Sequence, residues 1–62
     1  RKQARRSIVA LRKIKAGEPI ARQDLTFKRP GTGISPSELD KVVGKTARRD
    51  IGEDELLSFE DI

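Results

Sequence analysis

The chain has 62 residues, 14 of them Lys or Arg and 10 Asp or Glu, giving a net charge of +4. That length holds one small domain with a single core, near the lower limit for independent folding. With no cysteine and no histidine, the chain lacks any disulfide staple and any thiolate or imidazole ligand for zinc.

The charge is unevenly placed. Arg1, Lys2, Arg5 and Arg6 supply four positive charges, whereas beyond Ser7 ten basic and ten acidic residues cancel. The body of the domain is therefore near neutral, and residues 1–6 read as a basic linker arm ahead of a domain at 7–62. No aromatic side chains are interleaved with the basic ones, and no basic face continues into the domain, so nucleic acid is not expected as a partner. No apolar run approaches membrane-spanning length and no signal peptide is visible, so no membrane partner is expected either. The absence of disulfides fits a reducing compartment. The chain does not begin with methionine and reads as a piece of something longer.

In chain order, Ser7-Ile8-Val9-Ala10 predicts a short buried strand. Lys15-Ala16-Gly17-Glu18 is a turn, and Pro19-Ile20 begins a short extended piece. Ala21-Arg22-Gln23-Asp24-Leu25 is long enough for one helical turn only. Leu25 and Phe27 alternate with Thr26 and Lys28, which predicts a second strand with one buried face. Lys28-Arg29-Pro30-Gly31-Thr32-Gly33 follows as a turn. Pro30 pushes Arg29 toward an extended conformation at the strand end, and Gly31 and Gly33 permit a tight bend. A guanidinium held out on a stiffened turn suits recognition of an oxygen on a ligand or partner; the plain alternative is a solvated arginine on a loop.

Ser35 as N-cap, Pro36 at the first helical position and Glu38 in a capping box predict a short helix. Its buried face is Leu39, Val42 and Val43, Lys41 points outward, and Gly44 ends it. The segment from Lys45 to Ile51 returns to extended structure, Gly52-Glu53-Asp54-Glu55 is a polar turn, and Leu56-Leu57 is another short strand. Ser58 to Ile62 forms a final helical turn. The fold class is thus mostly β, with short helical turns and one short helix.

A shift of thirty-seven residues superposes Ala10 on Ala47, Arg12 on Arg49, Ile14 on Ile51, Glu18 on Glu55 and Asp24 on Asp61. Under the same shift Ile20 meets Leu57 and Leu25 meets Ile62, although the turn glycines do not align. A unit this short cannot bury its own apolar face, so the halves are expected to pack on each other about a pseudo-twofold axis.

Several segments together resemble a known family: Ser7-Ile8-Val9-Ala10, Ile14-Lys15-Ala16-Gly17-Glu18, Asp24-Leu25-Thr26, residues 28–36 and Val43-Gly44-Lys45. They are similar to the SAF, or antifreeze-like, domain at the C-terminus of bacterial sialic acid synthases. The Lys-Arg-Pro-Gly run followed by Gly-Ile-Ser-Pro carries most of the likeness. The resemblance implies a β-clip fold, wound as a pretzel with pseudo-twofold symmetry. It also implies a parent N-acetylneuraminate synthase, a cytoplasmic homodimer whose TIM barrel condenses phosphoenolpyruvate with N-acetylmannosamine using a divalent metal, Mn or Mg.

In that setting this domain would hold no cofactor and perform no catalysis. It would cap the barrel of the partner subunit, with Arg29 contacting the amino sugar's acetamido group and Lys28 assisting at the same surface. SAF-like domains also serve as carbohydrate-binding or assembly modules, which is the alternative expectation. The fold family includes ice-binding proteins too. Here the matching positions (Arg12, Gly17, Glu18, Ala21, Arg22, Gln23 and Asp24) are largely charged, against ice binding. Glu53-Asp54-Glu55 reads as a solvated acidic turn, because a calcium site needs more oxygen ligands at fixed spacing.

Overall fold

Strand β1 (Ser7–Ala10) runs through the middle of the molecule, and all four of its residues are buried. A computed structural model describes residues 5–62, so Arg1 and Lys2 of the basic arm lie outside the described residues. β1 pairs antiparallel with β2 (Leu25–Lys28), with Ser7 opposite Lys28 and Ala10 opposite Leu25. Segment 55–57 lies along the other edge of β1. Leu57 N–H donates to Ile8 O at 3.0 Å, Ala10 N–H donates to Glu55 O at 3.1 Å, and Val9 bridges to Leu56. A strand flanked on both edges and covered on both faces has no solvent side, which is why Ile8-Val9-Ala10 is apolar without alternation.

The core gathers Ile8, Ala10, Ile14, Ile20, Leu25, Ile34, Val42, Ala47, Ile51 and Leu57, with Phe27, Leu39 and Ile62 packed against it. Not every bulky apolar side chain joins it: Leu11 and Phe59 are 49% and 54% exposed. The expected single helical turns form as 3₁₀ turns at Arg22–Asp24 and Phe59–Asp61.

The segment after Ser35 departs from the predicted helix. It is a 3₁₀ helix, Pro36–Lys41, interrupted at Glu38, whose φ of −99° and ψ of 15° are not helical. The capping box does not form. Ser35 Oγ accepts from Ser37 N–H at 3.3 Å, while the Glu38 carboxylate pairs with Lys41 Nζ at 2.9 Å instead of reaching back to Ser35. In a 3₁₀ helix residues three apart eclipse one another. Leu39 and Val42 therefore share the inner face, and Val43, expected inside, is rotated out to 37% exposure. Gly44 ends the segment as expected, with φ of +92°.

The thirty-seven-residue repeat is a repeat of hydrogen bonds. Gly17 N–H donates to Ala47 O and Asp54 N–H to Ala10 O, both at 2.8 Å. Leu11 N–H donates to Asp24 O and Arg48 N–H to Asp61 O, both at 2.7 Å. Ile14 and Ile51 exchange N–H···O bonds of 2.8 and 2.7 Å with each other, so this pair maps onto itself and lies on the pseudo-twofold axis. The turn glycines fail to align because Asp54, with φ of +68°, takes the left-handed place that Gly17 holds at +91° in the first half.

The identical residue pairs are the ones the symmetry uses. Arg12 Nε donates to Asp24 Oδ1 at 3.0 Å, and Arg49 Nε donates to Asp61 Oδ1 at 2.7 Å. Arg12 also pairs with Glu18 at 3.4 Å, as Arg49 does with Glu55. Asp24 and Asp61 are buried, and each additionally accepts a backbone N–H, from Ala21 at 3.0 Å and Ser58 at 3.1 Å. Ala10 and Ala47, the remaining identical pair beside Ile14 and Ile51, are buried where the two halves exchange backbone bonds.

Two tests follow from this construction. Ile51→Ala removes apolar volume from the axis itself, where the residue is fully buried. It is expected to cost about 2–5 kcal/mol in chemical denaturation, enough to unfold much of so small a domain. The second test is acidification. Ala21 N–H, then the Arg12 guanidinium, hold the Asp24 carboxyl below its ordinary 3.8. Lys15 N–H, then Arg12, lower Glu18 from 4.5, and Arg49, then Gly52 N–H, lower Glu55. Groups depressed in the folded state stabilise it above their unfolded values, and that stability drains away as pH falls through the folded ones. The melting temperature is therefore expected to be flat from neutrality down to about pH 5 and to fall steadily below about pH 4. A flat profile down to pH 2 would contradict the ion-paired construction.

Candidate functional site

The turn that leaves β2 is held from inside by one hydroxyl. Ser7, fully buried at the head of β1, donates its Oγ–H to Pro30 O at 2.6 Å and accepts from Gly33 N–H at 2.8 Å. Both ends of the bend are thereby tied to the central strand, and the Arg29–Pro30 peptide bond within it is cis. Gly33 lies in close approach to its neighbours. A Cβ there would sit 3.1 Å from Leu57 O and 3.3 Å from the Ser7 side chain. Arg5 packs directly against Gly31, so residues just ahead of β1 also touch the turn. Arg5 and Arg6 line a concavity of about 270 Å³ with Gly31, Gly33, Ser35 and Pro36.

The two residues singled out from sequence are adjacent but stand differently. Lys28, the last residue of β2, places Nζ 2.7 Å from Asp54 Oδ1. Arg29 is exposed and forms no hydrogen bond or ion pair among the described residues. Arg12 and Arg49, by contrast, are each closed off by two carboxylates, which hold their guanidinium pKa values above the ordinary arginine value. Arg29 thus presents a rigid fork of N–H donors suited to a carbonyl or carboxylate oxygen. Sequence reading missed Ser7 and Asp54. The available signals were a serine heading an apolar run, and an aspartate at the place where the shifted repeat puts Gly17.

The other perturbed groups among the described residues have structural partners. The perturbed carboxylates Glu18, Asp24 and Glu55 belong to the two structural ion clusters, and their proton affinities reflect packing. Among the described residues no three acidic side chains converge as metal ligands. In the Glu53-Asp54-Glu55 turn, Asp54 is taken by Lys28 and Glu55 by Arg49. With both carboxylates already paired, this turn does not fit a divalent cation. Among the described residues no helix is long and apolar enough to cross a membrane.

Comparison with known proteins matches the SAF domain model over residues 5–62. The chain is 43% identical over 53 residues to an N,N'-diacetyllegionaminic acid synthase of Campylobacter jejuni, covering 86% of the chain and 16% of that protein. It is 40% identical over 58 residues to the synthase of the same name from Legionella pneumophila, covering 94% of the chain and 16% of that protein. Its backbone superposes on the solution structure of an antifreeze protein-like domain from the human N-acetylneuraminic acid phosphate synthase gene with a TM-score of 0.83. That match has 31% identity and covers 87% of this chain and 70% of that one. The chain spans less than a fifth of the length of the curated relatives it matches. With the pseudo-twofold fold and the family match in agreement, the chain belongs to the SAF, or antifreeze-like, domain family.

Proposed function

We propose that this domain is the non-catalytic cap of a synthase that condenses phosphoenolpyruvate with an amino sugar of the N-acetylmannosamine type. It closes the mouth of a TIM-barrel active site, that of the partner subunit in a cytoplasmic homodimer, and Arg29 donates to the sugar's acetamido oxygen. The divalent metal of the reaction belongs to the barrel. The observation that carries this reading is Arg29 itself, an exposed guanidinium without a partner among the described residues on a turn clamped at both ends by Ser7. A turn whose backbone is fixed before the ligand arrives loses less freedom on binding.

Capping also accounts for the exposed Leu11 and Phe59, which would supply apolar area for docking. Phe59 borders two shallow concavities of about 420 and 410 Å³, one lined by Ile34 and Leu57 and the other by Lys41 and Ile62.

Three substitutions in the full-length protein test the reading. Arg29→Ala removes a charged hydrogen bond to an oxygen, so the KM for the amino sugar is expected to rise by about ten- to a hundredfold, with the melting temperature unchanged. Arg29→Lys, lacking the planar fork, is expected to recover only part of that loss. Unchanged sugar kinetics in Arg29→Ala would defeat the proposal. Ser7→Ala leaves Pro30 O and Gly33 N–H without their partner, and is expected to cost about 1–3 kcal/mol of stability. Gly33 amide exchange, followed by NMR, is expected to accelerate more than that of Ile14 or Ile51, because the turn is released while the axis is intact.

A further inference from the structure

The pseudo-twofold symmetry is broken at two places that bear on one turn. The thirty-seven-residue shift superposes Ser7 on Gly44 and Gly17 on Asp54. At each place one half has a glycine and the other a polar side chain, and both polar side chains reach the 28–33 segment. Ser7 does so from within. Asp54 does so from outside, through Lys28 Nζ at 2.7 Å.

The turn that carries Asp54 does not need an aspartate. In both halves the turn closes with the same bonds. Glu18 N–H donates to Lys15 O at 3.0 Å and Glu55 N–H to Gly52 O at 3.1 Å. The glutamate carboxylates accept from Lys15 N–H at 2.7 Å and Gly52 N–H at 2.8 Å. The third residue donates across to the other half whether it is Gly17 or Asp54. A φ of +68° is unfavourable for a residue with a Cβ and natural for glycine. The carboxylate at this position therefore adds nothing to the turn itself. It adds the ion pair with the residue next to Arg29.

We propose that Asp54 is a positioning residue: it anchors Lys28 and so fixes the outer side of the Arg29 turn, and Lys28 is an internal tether that does not contact the ligand. This rests on the sugar-contacting reading of Arg29. Both partners are about half exposed, 52% for Lys28 and 60% for Asp54, so the pair contributes little to global stability and is readily screened by salt. Its effect belongs in the precision of the turn.

The test is kinetic and run in the full-length protein at low and high salt. Asp54→Gly copies the first half of the molecule, and Asp54→Asn keeps a residue that tolerates a left-handed backbone while losing the charge. Both are expected to keep or raise the melting temperature. Both are also expected to raise the amino-sugar KM about two- to fivefold at low ionic strength, with little change in kcat. Lys28→Met is expected to match them, Lys28→Arg to stay near wild type, and the Lys28→Met/Asp54→Gly double variant to be no worse than either single change. The differences are expected to vanish at about 1 M salt, where the screening length is about 3 Å.

The proposal is overturned if Asp54→Gly and Asp54→Asn leave KM at the wild-type value while Arg29→Ala raises it. It is equally overturned if Lys28→Met is far worse than Asp54→Gly, which would make Lys28 a ligand contact. If Arg29→Ala itself changes nothing, the sugar reading has failed separately. The tether is then judged by NMR order parameters of residues 29–33 in this chain. Asp54→Gly lowering them at low salt alone upholds the anchoring, and unchanged values reject it.

Discussion

Two backbone hydrogen bonds exchanged between Ile14 and Ile51 set the geometry from which everything else in this domain follows. Each half of the chain is a strand, a polar turn, a short extended piece and a 3₁₀ turn, with too few apolar side chains to cover itself. Joined at the axis, the halves bury one shared cluster, with Ile14, Ile51, Ala10 and Ala47 at or near the seam. Few of the backbone pairings form regular ladders; among the described residues β1 and β2 are the one paired set of strands, and elsewhere isolated bridges suffice. So small a core depends on this pairing, because neither half could meet the conformational entropy of ordering itself alone.

Around that seam the charges are structural before they are functional. Each half folds an arginine over a buried aspartate and a glutamate, and each aspartate also accepts the backbone N–H that opens its 3₁₀ turn. Burying a carboxylate is tolerable only when its lone pairs are met, and here they are met twice over in the same way. The symmetry thereby separates two kinds of basic residue. Arg12 and Arg49 are locked into the fold, whereas Arg29 has no counterpart in such a cluster and stands free of carboxylates among the described residues.

Departures from symmetry are therefore informative. Ser7 in place of a glycine, and an aspartate in place of Gly17, both put polar atoms against the 28–33 turn. On the proposed reading, this segment, clipped from two sides with a guanidinium projecting from it, meets a ligand outside the domain. One side chain of this kind gives little affinity alone, since a single contact cannot offset the freedom lost on association. On that reading it becomes effective when the rest of a larger protein brings the ligand to it.

Much of this was legible from local pattern. Ser7 to Ala10 and Leu25 to Lys28 read as strands because burial on two faces or one dictates their apolar spacing. The bend at Arg29 read from Pro30 and two glycines, and the repeat from residues that recur because the same bonds recur. What local pattern could not settle depended on which atoms meet across the axis. The signature at Ser35 predicted a short helix with a capping box and Val43 inside, yet Glu38 found Lys41, and tight 3₁₀ winding turned Val43 outward. Ser7 as a clasp, Lys28 as one half of a tether and Asp54 in a left-handed backbone all rest on contacts more than twenty residues apart. Short-range stereochemistry writes itself into neighbouring residues, so it can be read in order along the chain. The partner of a long side chain is chosen only once folding has brought distant segments together.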